Sequence, residues 1–173
     1  MDRRPGYTMS NPFWDYSLAS YSLDGVASSC LVLQDTCDLD VNLLLYAAWL
    51  AHRHRRLSAE HLAGLEAAIV DWRERVIKPL RALRRQLPDY PRASGVREEI
   101  KALELCAEQQ QQDLMFAFFQ RTGDLPQAPR PLQENLVLVA QFACPQHARW
   151  ELTINRLVTQ FPLSGRASAR AGR

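Results

Sequence analysis

Residues 41–51 read VNLLLYAAWLA, and within them Leu43–Ala51 is an unbroken apolar run of nine residues. That is less than half of a membrane span, which needs about 20. Read as a helix, the segment is apolar almost all round, with Asn42 as its polar exception. Such a helix belongs at the centre of a small bundle, contacted on several faces. Asp38 or Asp40 is placed to cap its start.

Helix signals continue on both sides. Asn11 is a good N-cap, and Pro12 suits the first helical position, where its missing N–H is not needed. A first helix therefore begins at Asn11 and carries Phe13, Trp14, Tyr16, Leu18 and Tyr21; a second starts near Asp24 and runs to about Asp35. Ser58 caps a fourth helix with Glu60 in its first turn. Its apolar seam is Leu62, Leu65, Ile69, Trp72, Val76, Leu80, Leu83 and Leu87, a heptad-like series with one extra four-step across Pro79. Proline removes a backbone bond and clashes with the preceding turn, so a kink is expected there. Leu87–Pro91 makes a rigid loop, and a fifth helix follows from Ser94 to Phe119. Its seam of Val96, Ile100, Leu103, Ala107, Leu114 and Phe118 is interrupted by Gln109–Gln112. Gly123 stops it, Asp124–Pro131 is an extended linker with three prolines, and Pro131 and Pro145 open two further helices.

The chain shows no sustained period-2 alternation, no hairpin turn between alternating runs and no internal repeat. The expected fold is all-α: an irregular bundle of six or seven helices, with Ser58–Leu87 and Ser94–Phe119 as a long kinked antiparallel hairpin. Residues 1–10 read as a flexible N-terminus, 11–161 as a single helical domain, and 162–173 (PLSGRASARAGR) as a disordered basic tail.

Several chemistries are not written here. Cys30, Cys37, Cys106 and Cys144 form no CxxC pair and read as buried free thiols. The start MDRRPGYTMSNPFW has no apolar core of signal length, which points to a soluble cytoplasmic protein with no membrane partner. No G-x-S-x-G, P-loop, G-x-G-x-x-G or H-E-x-x-H occurs. His52-x-His54 lies among three arginines on non-facing positions, and His147 with Glu151 reads as a hydrogen-bonded pair. No cofactor is called for.

Charge is informative in its distribution. The net charge is only +2, but there is no Lys or Arg between Pro5 and His52, where Asp15, Asp24, Asp35, Asp38 and Asp40 fall. From His52 to Arg92 there are ten Lys/Arg against five acids. Asp35, Asp38 and Asp40 offer a metal or small-ligand cluster. The EF-hand pattern begun at Asp38 nevertheless fails at Leu43, where Gly is needed, and at Trp49, where Glu is needed. Lys78, Arg81, Arg84 and Arg85 form a basic face, read as solvent-exposed opposite the leucine seam. It could contact RNA or ribosomes, dock an acidic protein partner, or meet the chain's own Asp-rich front.

Asn11-Pro12-Phe13-Trp14, Leu33-Gln34-Asp35, Asp40-Val41-Asn42-Leu43-Leu44-Leu45 and Pro79-Leu80-Arg81 together resemble a proteobacterial family, domain of unknown function 2390, over roughly residues 11–119. Members usually carry a Gly just before the Asp-Val-Asn segment; here the residues are Thr36-Cys37-Asp38-Leu39, so a different turn is expected. The resemblance brings a bacterial, cytoplasmic setting and no activity, cofactor or catalytic residue. Within its most characteristic segments the candidate polar cluster is Asn11, Trp14, Asp15, Gln34, Asp35, Asp40 and Asn42. The structural reading makes Asn11 and Asp40 helix caps, and Gln34 with Asn42 an internal polar lock. The functional expectation is a non-enzymatic helical adaptor binding another protein, with the partner either a different protein or a second copy of this chain. An RNA- or ribosome-associated protein is the first alternative, and a metal or ligand site at Asp35, Asp38 and Asp40 is the second.

Overall fold

The computed structural model describes residues 11–162. The expectations for residues 1–10 and for the tail beyond Pro162 lie outside the described residues. Those described are helical, with no named strand among them, and form eight α-helical segments. They are α1 (Pro12–Tyr21), α2 (Val26–Cys37), α3 (Val41–His52), α4 (Ala59–Trp72), α5 (Lys78–Gln86), α6 (Ser94–Thr122), α7 (Leu132–Ala143) and α8 (Glu151–Gln160). Because α4 and α5 are joined by a single π-helical turn, Arg73–Ile77, the bundle consists of seven rods.

The apolar segment that decides the fold is the axis of the bundle. Every residue from Asn42 to Ala51 is buried, and α3 packs against α1, α2, α6 and α7. Its rings bind the core together. Phe13 meets Tyr46 edge-on at 5.4 Å, and Trp49 meets Phe119 edge-on at 4.8 Å. Aromatic pairs in this geometry add about 0.5–1.5 kcal/mol each beyond area burial. The N-cap is Asp40, whose carboxylate accepts from the Asn42 N–H at 2.8 Å. Asp38 instead closes α2 with φ of 49°. That left-handed conformation is free for glycine and tolerated by aspartate.

Two helix starts differ from expectation. Gly25, with φ of 79°, caps α2 instead of Asp24, since only a residue without Cβ enters that conformation without cost. The last helix begins at Glu151 rather than Pro145, because residues 147–149 form a separate 3-10 turn. The extended linker holds, and it is pinned. Arg56 N–H donates to the Pro126 carbonyl at 2.9 Å, and Ala128 N–H to the His54 carbonyl at 2.9 Å. Behind this contact Asn135 is wholly buried. Its Oδ1 accepts from Leu57 N–H at 2.8 Å, and its Nδ2 donates to the carbonyls of Arg55 at 3.0 Å and Ala47 at 3.2 Å.

The largest correction concerns Pro79. Just before it the chain widens its turn: Lys78 N–H reaches back five residues to the Arg73 carbonyl. A π-turn inserts one extra residue and relieves the clash with the preceding carbonyl. The insertion advances the inward face by one position. The buried series Leu62, Leu65 and Ile69 therefore continues through Ile77, while Leu83 is left 46% exposed. After the π-turn Arg81 and Arg84 face α6, while Leu80 and Leu87 of the expected seam stay half-buried.

A buried histidine supplies a stability test. The Tyr46 hydroxyl and His61 Nε2 lie 2.8 Å apart inside the core. Burial holds the His61 pKa below its ordinary 6.5. The folded chain therefore keeps His61 neutral while the unfolded chain takes up a proton. Stability is then full above the unfolded value of about 6.5 and is lost as pH falls from there through the folded value. Urea unfolding midpoints measured in steps from neutral pH to about pH 5 are expected to fall, and to fall less in His61→Gln.

Candidate functional site

The Asp-rich front and the basic middle meet across α2, α3 and α5. Asp35 pairs with Arg85 at 2.9 Å and Asp38 with Lys78 at 2.8 Å. Asp40 is reached by Arg73 at 3.4 Å and accepts from Gln111 Nε2 at 2.6 Å. The three aspartates are thus splayed onto three different cations. They do not converge, and a cation beside each repels a metal ion. Among the described residues no group of three His, Cys, Asp or Glu is placed to hold one. The metal reading of Asp35, Asp38 and Asp40 is therefore withdrawn.

The basic face is not a solvated face either. Arg81 donates to Glu104 and Glu108, both at 2.9 Å, and Arg84 donates to Glu104. Glu104 is only 6% exposed. Burial alone would push its carboxyl up, but the hydrogen bonds and charges of Arg84 and Arg81 outweigh that and hold it below the ordinary carboxylate range. The reason lies in the π-turn, which rotates these arginines onto α6. Only Arg85 and Lys78 keep substantial exposure, each with an aspartate partner.

Between these walls lies a cleft of about 510 Å³, bounded by α1, α2, α3, α5 and α6. A volume in the range of about 300–1,000 Å³ with mostly apolar walls is characteristic of ligand pockets. Trp14 and Ser17 come from α1, Gln34 from α2 and Asn42 from α3, while Glu104, Glu108 and Gln112 stand at four-residue steps on one face of α6. Its lips are the exposed side chains of Leu18, Tyr21, Leu31 and Leu105. Burial pushes the Glu108 carboxyl up, against the opposing charge of Arg81.

The candidate polar cluster therefore divides. Trp14, Gln34 and Asn42 line the cleft. Asn11 caps α1, accepting from Phe13 N–H at 3.0 Å and Trp14 N–H at 3.2 Å, and donates to Asp113 at 2.7 Å. Asp40 caps α3, Asp35 is held by Arg85 outside the cleft's walls, and Asp15 is exposed. The expected Gln34–Asn42 lock does not form. Asn42 Oδ1 accepts from Gln112 Nε2 at 2.8 Å, and Gln34 has no hydrogen bond among the described residues. Glu104, Glu108 and Gln112 were not anticipated. The interrupted seam at Gln109–Gln112 was their signal, since glutamines there replace apolar residues at inward positions. Cys106 is exposed, against expectation, while Cys30, Cys37 and Cys144 are buried. His147's side chain lies outside the described residues.

The family described as Protein of unknown function (DUF2390) matches residues 12–115. The chain belongs to this family. The DUF2390 match runs from α1 into α6 and so contains every residue lining the cleft, while α7 and α8 fall beyond it. No curated protein and no solved structure matches the chain. No helix among the described residues is long and apolar enough to cross a membrane.

Proposed function

We propose that this DUF2390 protein is a non-enzymatic helical adaptor of the bacterial cytoplasm, and that it receives a segment of another protein in the cleft between α1, α2 and α6. The observation that carries this reading is the row of exposed large apolar side chains, Leu18, Tyr21, Leu31 and Leu105, arranged around one cavity. Scattered surface leucines need no explanation, but apolar side chains grouped at the mouth of a cleft mark interaction sites. Amphipathic segments dock in such grooves by apolar anchors. The polar base supplies orientation.

The nucleic-acid alternative is weaker on the same geometry. Arg73, Arg81 and Arg84 are already engaged by Glu66, Glu104 and Glu108. Phosphate binding would require breaking those pairs.

The test is proximity in the cell. A photo-crosslinking residue replacing Leu105 at the cleft lip is expected to give a discrete protein adduct. The same residue replacing Leu152, exposed on α8 and outside the cleft, should give none. Equal adducts at both positions, or none at Leu105, would overturn the reading.

A further inference from the structure

Cys37 is the last residue of α2, and Cys144 is the first after α7. Both thiols are free, and they lie within hydrogen-bonding reach of each other. No spacing in the sequence announces the pair. It is assembled by the packing of α2 on α8 and of α8 on α7. The other two cysteines are placed differently. Cys106 is exposed on α6. Cys30 shares α2 with Cys37 but sits about two turns, or about 10 Å, back along its axis, too far for a bond.

The pair lies just beneath the surface. Cys37 and Cys144 keep 7% and 6% exposure, whereas Cys30 keeps none. Thr36, Asp38, Pro145, Gln146 and Arg149 beside them are exposed. The Thr36 hydroxyl lies 3.6 Å from Cys37 Sγ, and the Gln146 carbonyl lies 3.9 Å from Cys144 Sγ. Burial pushes the Cys37 thiol up, while the Thr36 hydrogen bond and the Arg149 charge pull the other way. Burial alone pushes Cys30 up to about 12. To bond, two touching sulfurs must close to about 2.05 Å. Both cysteines stand where a helix ends, so a helical ladder holds each on one side only. Asp38 beyond Cys37 has already left the helix at φ of 49°, and Cys144 is extended at φ of −143°.

We propose that Cys37 and Cys144 are a reversible redox-modification site, oxidised to an intramolecular disulfide by a hydroperoxide. The Cys37 thiolate attacks one peroxide oxygen. The S–O bond forms as the O–O bond breaks, and the leaving hydroxide takes up a proton as water. The Cys144 thiolate then attacks the sulfenic sulfur. The S–S bond forms as the S–O bond breaks, and a second water leaves. The two thiols lose two electrons and two protons, and one hydrogen peroxide becomes two waters. A dithiol reductant reverses the bond by exchange. The link ties the end of α2, whose Leu31 and Gln34 line the cleft, to the end of α7. It does not depend on the adaptor reading.

The experiment treats the folded full chain with hydrogen peroxide, alkylates the remaining thiols in urea and maps peptides by mass. Cleavage before Asp35 separates Cys30 from Cys37. The expected product is a Cys37–Cys144 cross-linked peptide pair, about 2 Da lighter than its two thiol peptides and released by dithiothreitol. It is expected to exceed Cys30–Cys37 at least about tenfold in the folded chain, an order that reverses in urea, where loop closure favours the near pair. Cys144→Ser is expected to leave Cys37 without a cross-link in the folded chain. Cys37 and Cys144 still alkylated after Cys106 has been consumed would overturn the proposal. So would irreversible sulfinic acid at either without the cross-link, Cys30–Cys37 as the main folded product, or the same product ratio in urea.

Discussion

Asn135→Leu is expected to destabilise the fold by about 3 kcal/mol or more, a large loss for a near-isosteric substitution. Asn135 is 0% exposed and makes three hydrogen bonds, to Leu57 N–H and to the carbonyls of Ala47 and Arg55. Leucine has the same branching, with bulkier methyl groups, but returns none of them. Each buried group left without a partner costs about 1–3 kcal/mol. The three bonds tie α7 to the middle of α3 and to the loop before α4, the place where residues 126–128 are pinned. Loss should therefore be cooperative, lowering the urea midpoint without a separate early transition. A loss below about 1 kcal/mol would mean that water replaces the amide and that the junction is not closed.

Glu104→Gln is the second large effect, expected at about 2 kcal/mol. Removing one partner of a fully buried pair costs about 3–5 kcal/mol, because the remaining charge is stranded. Arg81 and Arg84 keep side-chain exposures of 20% and 25%, so water screens part of that loss. Arg81 also retains Glu108. The sign of the pH dependence follows from the depressed Glu104 pKa. Its contribution is present above the unfolded value, near 4.5, and disappears as pH falls through the folded value. The wild-type chain should therefore lose stability more steeply than Glu104→Gln below about pH 4.5. Parallel curves would contradict the assignment of Glu104 as a buried carboxylate held by Arg81 and Arg84.

Much of the fold was legible in the sequence because its signals are local. The all-round apolar segment at 43–51, the Asn11, Asp40 and Ser58 caps and the Pro131 helix start each depend on residues near them in the chain. The site was legible only in part, for the opposite reason. Whether Arg81 and Arg84 face solvent or α6 depends on one extra residue in the turn at Arg73–Ile77. Periodicity read through Pro79 assumes an unbroken α-helix, so it placed Leu83 inside and the arginines outside. The π-turn reverses that assignment. Likewise, a polar interruption at Gln109–Gln112 does not announce its partners. Asn42 and Asp40 lie far away in sequence, at separations of 70 and 71. Trp14, Gln34 and Asn42 were found because they sit in recognisable segments. Glu108 was not, because its place on the cleft wall comes from the packing of α6 against Arg81 rather than from spacing.

Binding through the apolar cleft, with the arginine-rich helix neutralised inside the molecule, is open to one direct measurement: the yield of the Leu105 photo-adduct as salt is raised from about 50 mM to about 200 mM. Apolar docking predicts a change of no more than a few-fold. A basic face of four cations reading phosphates would lose about a hundredfold in affinity over the same range. A nearly flat yield is the expected result; a collapse of that size would contradict the account and return the Lys78–Arg85 face to the centre of the protein's function.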